Sequence, residues 1–245
     1  MNLSFKNQTC IVTGGSSGLG KTISKQFLNL GAKVIITGTK SNPPSWLKEF
    51  KNYIYLRVNF LQKQSLNRFL EFIKTQNKID VLVNNAGIIK FDKIGSKEFD
   101  EGFSDILNVN LFSVLKLTNE VVSVMLKNNY GRIVNISSVS GYIVKPYQSS
   151  YSSTKQGLNG FSKAIAVDLA KDGILVNSVC PSTINTPMTQ NKLSKNQINI
   201  LNKTHPLNRL ADPSDISNIV TFLASLKNSY FTGQSIIVDG GLSLN

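Results

Sequence analysis

The stretch TCIVTGGSSGLGK (9–21) passes from a short apolar run through a glycine-rich turn into residues that suit a helix. An apolar run with no polar alternation is a strand covered on both faces. The glycines permit a tight turn and a close approach of the backbone to a ligand, and the unpaired amides at the start of a helix favour an anion there. Gly14, Gly18 and Gly20 leave three residues between the first two glycines, unlike the common G-x-G-x-x-G spacing. Taken alone this is also the pattern of a plain strand–helix turn, so the rest of the chain must decide.

The same alternation recurs to the end of the chain. Strands are expected over 9–14, 33–38, 53–58, 79–87, 132–138, 174–181 and 235–241, with helices over 19–30, 63–75, 98–128 in two parts, 152–170 and 213–225. Pro43 and Pro44 restrict the segment 41–52 to a short helix. Strands covered on both faces and joined by helices give a parallel sheet with right-handed crossovers. The fold expected is therefore α/β, a Rossmann-like doubly wound parallel sheet of about seven strands with helices on both faces, in one domain spanning 1–245. Ligands of such folds bind beyond the carboxyl ends of the strands. In that setting the loop after the first strand reads as a dinucleotide site, with Gly14, Ser16, Ser17, Gly18, Leu19 and Gly20 as its contacts.

Composition narrows the partners. With 245 residues, 41% hydrophobic and 17% charged, the chain is globular rather than disordered. The net charge of +13 is spread without a basic run, so nucleic acid is not an expected partner, and the excess instead steers anionic ligands. The apolar runs are short for a bilayer span, and the first residues lack a secretory pattern. Cys10 and Cys180 lie in strand-like runs and read as buried free thiols of a reducing compartment, the cytoplasm. No Cys/His/Asp cluster has metal-ligand spacing. His205 reads as a surface or packing residue and Trp46 as a packing residue.

An acidic residue at the end of the second strand would bind a ribose 2′-hydroxyl and repel a 2′-phosphate. Here the sequence is ITGTKS (36–41), with no acid nearby. Thr39 can donate a hydrogen bond and Lys40 can pair with a phosphate, so NADP(H) is favoured and NAD(H) is the alternative. Further along, SSYSSTKQG (149–157) sets Tyr151 one helical turn before Lys155. In a lysine-rich chain that spacing is close to what chance supplies, and its place in the fold must give it meaning.

TGGSSGLG (13–20), NNAG (84–87), NVN ending at Asn110, GRIVNISS (131–138), YSSTK (151–155) and FTGQSIIVDGG (231–241) occur in order. Together they resemble the short-chain dehydrogenase/reductase family in its compact single-domain branch, over essentially the whole chain. The resemblance implies a hydride transfer between a nicotinamide and a carbonyl or secondary alcohol. It makes Tyr151 the general acid and base, with Lys155 lowering its pKa and holding the nicotinamide ribose. Ser138 would bind the substrate oxygen, and Asn110 would support a water leading from Lys155 to solvent. Asn59 would meet the adenine, Asn84, Ala86 and Gly87 would line the cofactor, Ile184 and Thr186 would face the nicotinamide, and Phe60 and Pro181 would be further cofactor contacts. Ser182 stands where the family usually has glycine.

The pattern is most similar to reductases of 3-oxoacyl thioesters on acyl-carrier protein. Two places depart from it: NNY (128–130) and Asp172 stand where those enzymes usually carry basic residues, and Asp172 would repel an acidic carrier. A sugar, polyol or other small ketone is the alternative substrate, and a non-enzymatic dinucleotide-binding sensor the alternative of another class. Residues 182–207 correspond to a lid over the substrate, where Lys192, Lys195 and Lys203 either meet an anion or face water. The resemblance also implies a homotetramer, or a dimer, through the helices at 105–128 and 152–170 and the last strand.

Overall fold

In the computed structural model, which describes residues 3–91, 93–96 and 99–244 without the side chains of Met188 and Lys192, a seven-stranded sheet forms the centre. In chain order the elements are β1 (Thr9–Val12), α1 (Gly18–Asn29), β2 (Lys33–Gly38), β3 (Tyr53–Arg57), α2 (Lys63–Lys74), β4 (Val81–Asn84), α3 (Phe99–Leu107), α4 (Ser113–Met125), β5 (Gly131–Ile136), α5 (Ser149–Leu169), β6 (Ile174–Pro181), α6 (Pro187–Lys192), α7 (Lys195–Thr204), α8 (Pro213–Ala224) and β7 (Ser235–Val238). The strand order is β3-β2-β1-β4-β5-β6-β7, and every pairing is parallel. The order reverses between β1 and β4, where such folds open a ligand crevice.

Neighbouring residues on a strand point to opposite faces, and both faces are covered. Cys10, Val12, Val34, Ile36, Val81 and Val83 pack with Ile23 and Phe27 of α1 and Ile216 and Val220 of α8. Ile11, Ile35 and Leu82 pack on the other side with Phe69 of α2 and Leu117 and Val121 of α4. That is why these strands read as unbroken apolar runs. A π turn, Asn108–Phe112, joins α3 to α4. The resulting helical stretch is apolar enough by composition to cross a membrane, yet half of it is buried inside the protein.

Strands β1, β4 and β5 end earlier than expected, because the chain after Val12, Asn84 and Ile136 leaves the sheet to line the crevice; β7 also ends early, at Val238. The expected helix start at residue 98 lies outside the described residues. The polar segment expected as a lid contains two helices, α6 and α7. Their start signals are local: Thr186 caps α6 with Pro187 in its first turn, and Ser194 with Gln197 forms a capping box on α7.

Candidate active site

The residues beyond the carboxyl ends of the strands line one cleft of about 710 Å³. Its floor is the β1–α1 loop, where Gly14 (φ +62°) and Gly18 (φ +52°) adopt left-handed backbone that other residues rarely take. A Cβ on Gly20 would run into the carbonyl of Gly14 and come within 2.5 Å of the Asn85 carboxamide. Asn85 and Ala86 each donate a backbone N–H to the Thr13 hydroxyl, at 2.9 and 3.0 Å, which fastens the loop to the end of β4. Ser17 starts α1 without a side-chain cap, and no acid sits in the first turn. The first amides of α1 therefore face an anion-binding position. Ser16, Ser17, Gly18, Leu19 and Gly20 all line the cleft, and the cradle fits a dinucleotide diphosphate.

At the adenosine end, Gly38 lies so close to the loop that a Cβ would meet Ser16 Oγ at 2.6 Å. Thr39 lines the cleft and Lys40 does not; Lys40 is exposed and its carbonyl accepts from the Tyr55 hydroxyl at 2.7 Å. Arg57, which the sequence reading passed over, ends β3 and donates from Nε to the Thr39 carbonyl at 3.3 Å. Trp46 also does more than pack: its indole N–H donates to the Ser16 carbonyl at 3.1 Å. Asn59 and Phe60 line the cleft, and Asn59 Oδ1 accepts the Leu61 N–H at 3.1 Å.

Asn84 is not a cleft residue. Strand alternation turns its side chain into the core, where Nδ2 donates to Asn135 Oδ1 at 2.8 Å and to Thr118 Oγ1 at 3.2 Å. Asn85, Ala86 and Gly87 carry the lining instead. Asn110, in the π turn, is likewise buried behind the cleft. Its carboxamide pairs with both backbone groups of Ile88, accepting its N–H at 2.9 Å and donating to its carbonyl at 2.9 Å. A Cβ at Gly87 would stand 3.3 Å from Asn110 Oδ1 and 3.7 Å from Lys155 Nζ, so the glycine keeps open the gap between them.

Ser138, Tyr151 and Lys155 do converge. Ser138 follows β5, its Oγ accepts the Ser140 N–H at 3.0 Å, and it also hydrogen-bonds the Tyr151 hydroxyl. Lys155, one turn along α5, is 5% exposed, donates to the Ile136 carbonyl at 2.8 Å and stands 5.6 Å from the centroid of the Tyr151 ring. Burial raises the Tyr151 phenol above its ordinary value, and the Ser138 hydrogen bond opposes that rise. Burial acts on Lys155 too and pulls its pKa from 10.5 to about 8. Lys155 thus disfavours the fold while charged. Below pH 8 both folded and unfolded states hold the proton and the cost is complete. Between pH 8 and 10.5 only the unfolded state holds it, so stability rises with pH. Relative to Lys155→Met, the unmodified protein is expected to gain up to about 3 kcal/mol across that window. Urea midpoints at pH 7.5, 9 and 10.5 measure it, and parallel curves for the two proteins would contradict it.

Pro181, Ile184 and Thr186 line the remaining wall, with the Thr186 hydroxyl accepting the Thr189 N–H as the cap of α6. Ser182 takes the usual glycine place without positive φ. Its buried hydroxyl lies 3.1 Å from His205 Nε2, and His205 Nδ1, 2.7 Å from the Leu201 carbonyl, carries the proton of that bond. His205 is therefore a buried packing residue that ties the end of α7 to the end of β6. Lys192 belongs to the side chains outside the description, and Lys195 and Lys203 are exposed. Among the described residues, no group of three or more His, Cys, Asp or Glu could hold a metal ion.

A family model described as enoyl-(acyl carrier protein) reductase matches residues 14–243. The 3-oxoacyl-[acyl-carrier-protein] reductase FabG of Escherichia coli (strain K12) is 37% identical over 243 residues, covering 98% of this chain and 99% of that one. FabG of Aquifex aeolicus (strain VF5) is 36% identical over 249 residues, covering 99% and 100%. Among solved structures, ElxO with NADP bound has a TM-score of 0.89 at 28% identity, covering 97% of this chain and 99% of that chain. A putative gluconate dehydrogenase from Agrobacterium tumefaciens has a TM-score of 0.89 at 26% identity, covering 98% and 97%.

Proposed function

The chain belongs to the short-chain dehydrogenase/reductase family and is an oxidoreductase of the carbonyl–secondary alcohol couple, and from that premise we propose that it reduces 3-oxoacyl thioesters with NADPH. The observation that carries the reading is the convergence of Ser138, Tyr151 and Lys155 beside a cradle for a dinucleotide diphosphate, in a chain over a third identical to reductases of that substrate. Thr39, and the absence of an acid near it, suits a cofactor bearing a 2′-phosphate, with Arg57 and Lys40 adding positive charge at that end.

When bound, the nicotinamide supplies the hydride. The chain's own residues handle the oxygen and its proton. Ser138 Oγ and Tyr151 Oη share one hydrogen-bonding position, where a carbonyl oxygen fits between two donors. As negative charge develops on that oxygen, the phenol gives up its proton, and the nearby Lys155 ammonium stabilises the phenolate left behind. A water in the gap kept by Gly87 would return the proton, with Asn110 holding the Ile88 backbone that walls it. The apolar residues Ile88, Ile89, Val139 and Ile143 line the same cleft and suit an acyl chain.

Acyl-carrier protein is the proposed source of the thioester, docking without the basic residues usual at 128–130 and 172. Assembly as a homotetramer or dimer suits the free edge of β7, where Ile237 and the neighbouring Tyr230 and Phe231 are exposed. The test is NADPH oxidation by the purified chain with a 3-oxoacyl thioester offered free and carrier-linked, its mass in solution read by light scattering. A 3-hydroxyacyl product is expected. A saturated acyl product from a 2-enoyl thioester, with the 3-oxoacyl thioester left unreduced, would replace this reading with enoyl reduction. Reduction confined to sugars or simple ketones would move the substrate class.

A further inference from the structure

A diphosphate is attracted by backbone N–H groups and repelled by carbonyl oxygens, so a loop that cradles one must turn its carbonyls away. In the β1–α1 loop four consecutive carbonyls are each taken by a side chain of the protein. Those of Thr13 and Gly14 accept Asn85 Nδ2 at 2.9 and 3.3 Å, and that of Gly15 accepts the Ser24 hydroxyl at 3.3 Å. The fourth, on Ser16, accepts the indole N–H of Trp46 at 3.1 Å. Trp46 arrives from the segment between β2 and β3. Pro44, in extended backbone, precedes a short 3₁₀ helix, Ser45–Glu49, that brings the indole to the loop. Phe50 packs edge-on to the ring at 6.2 Å, and Lys25 Nζ stands 5.6 Å from its centroid. Trp46 is buried and does not line the cleft, whereas Ser16 and Ser17 do. Its hold on a ligand there passes through the Ser16 carbonyl.

We infer that Trp46 is a positioning residue for the dinucleotide: its indole N–H keeps the Ser16 carbonyl turned from the diphosphate and so sets the affinity for NADPH. This rests on the cofactor reading above and deepens it. An indole N–H donates and cannot accept. It therefore selects one orientation of the Ser16–Ser17 peptide, because the flipped peptide would bring an N–H against an N–H. Phenylalanine at position 46 keeps an aromatic ring and loses that selection. The carbonyl is then left without its partner or turns to the water of the cleft, where its partial negative charge opposes the diphosphate. The adenosine and nicotinamide ends of the cleft are built from other residues and keep their shape.

The experiment measures NADPH affinity by calorimetry, without substrate, for the full chain and its Trp46→Phe and Phe50→Leu variants. Phe50→Leu disturbs the packing on the indole and leaves its N–H in place. Two fragments locate the effect: 2′-phospho-ADP-ribose carries the diphosphate, and adenosine 2′-phosphate lacks it. In Trp46→Phe the affinity for NADPH and for 2′-phospho-ADP-ribose is expected to fall about 3- to 10-fold, as for one lost hydrogen bond. Adenosine 2′-phosphate affinity, and kcat at saturating NADPH, are expected to stay unchanged, and Phe50→Leu to keep all three affinities. Equal losses in the two variants would make Trp46 structural and overturn the inference. Unchanged NADPH affinity in Trp46→Phe, or a matching loss for adenosine 2′-phosphate, would overturn it as well. Should Trp46→Phe fail to fold, 3-benzothienylalanine at that position keeps the bicyclic ring and puts sulfur in place of the N–H; the same losses are expected, and their absence counts against the inference. A chain with these affinities that leaves 3-oxoacyl thioesters unreduced would remove the proposed substrate and keep this inference. A chain that binds no NADPH would remove both.

Discussion

Tyr151→Phe is expected to lower kcat for carbonyl reduction by about 10²- to 10⁴-fold while NADPH still binds. The substitution deletes one oxygen. The ring keeps its place on α5, and the dinucleotide cradle is built from other elements. What is lost is the proton donor. Burial keeps the phenol protonated well above neutral pH, so the acid form is the one present when a carbonyl arrives. Phenylalanine leaves Ser138 as a single donor to the developing alkoxide and no proton to neutralise it. The measurement is single-turnover NADPH oxidation alongside NADPH affinity. Retained turnover would remove Tyr151 as the acid; lost affinity would show that the variant had damaged the cradle. Ser138→Ala should cost less, because it removes a hydrogen bond and leaves the proton source.

The parts of this site that were legible in the sequence are those whose chemistry is local. Val and Ile runs disclose strands covered on both faces, and glycines at 14, 18 and 20 mark where the chain turns back on itself. Tyr151 and Lys155 share a helix face, so their adjacency followed from the 3.6-residue period once β5 was placed beside α5. Side-chain direction near an element's end was harder. Asn84 and Asn85 are neighbours with equal chemistry, and only strand alternation decides that the first enters the core and the second the cleft. Asn110 depends on a π turn, which leaves no mark in the hydrophobic period. Arg57 and Thr39, or His205 and Ser182, meet across long stretches of chain, and a single sequence has no term for such pairs. The mutual position of Tyr151 and Lys155 was readable, but the balance of their pKa values was not, because burial moves the two groups in opposite directions.

Thr39→Asp is expected to reverse the cofactor preference, and the reasoning is electrostatic. Thr39 lines the adenosine end of the cleft, and Arg57 Nε holds its carbonyl at 3.3 Å, so a carboxylate placed there faces the same ribose edge from a fixed backbone. Two like charges about 4 Å apart near a protein surface repel by about 4 kcal/mol, some three decades in an equilibrium constant. Solvent and the positive charge of Lys40 and Arg57 will reduce that, so an NADPH KM raised by about 10²-fold or more is the expected result. NADH lacks the phosphate, and its ribose 2′-hydroxyl can donate to the new carboxylate. Its KM should therefore fall or stay unchanged, with kcat preserved because Ser138, Tyr151 and Lys155 lie at the other end of the cleft. The measurement is kcat and KM for both cofactors at one substrate concentration, repeated at high salt, where the penalty on NADPH should shrink. Equal loss with both cofactors would mean that the aspartate had distorted the Gly38–Ser16 contact. An unchanged NADPH KM would place the 2′-phosphate away from Thr39, and Lys40 and Arg57 would lose their proposed part in binding it.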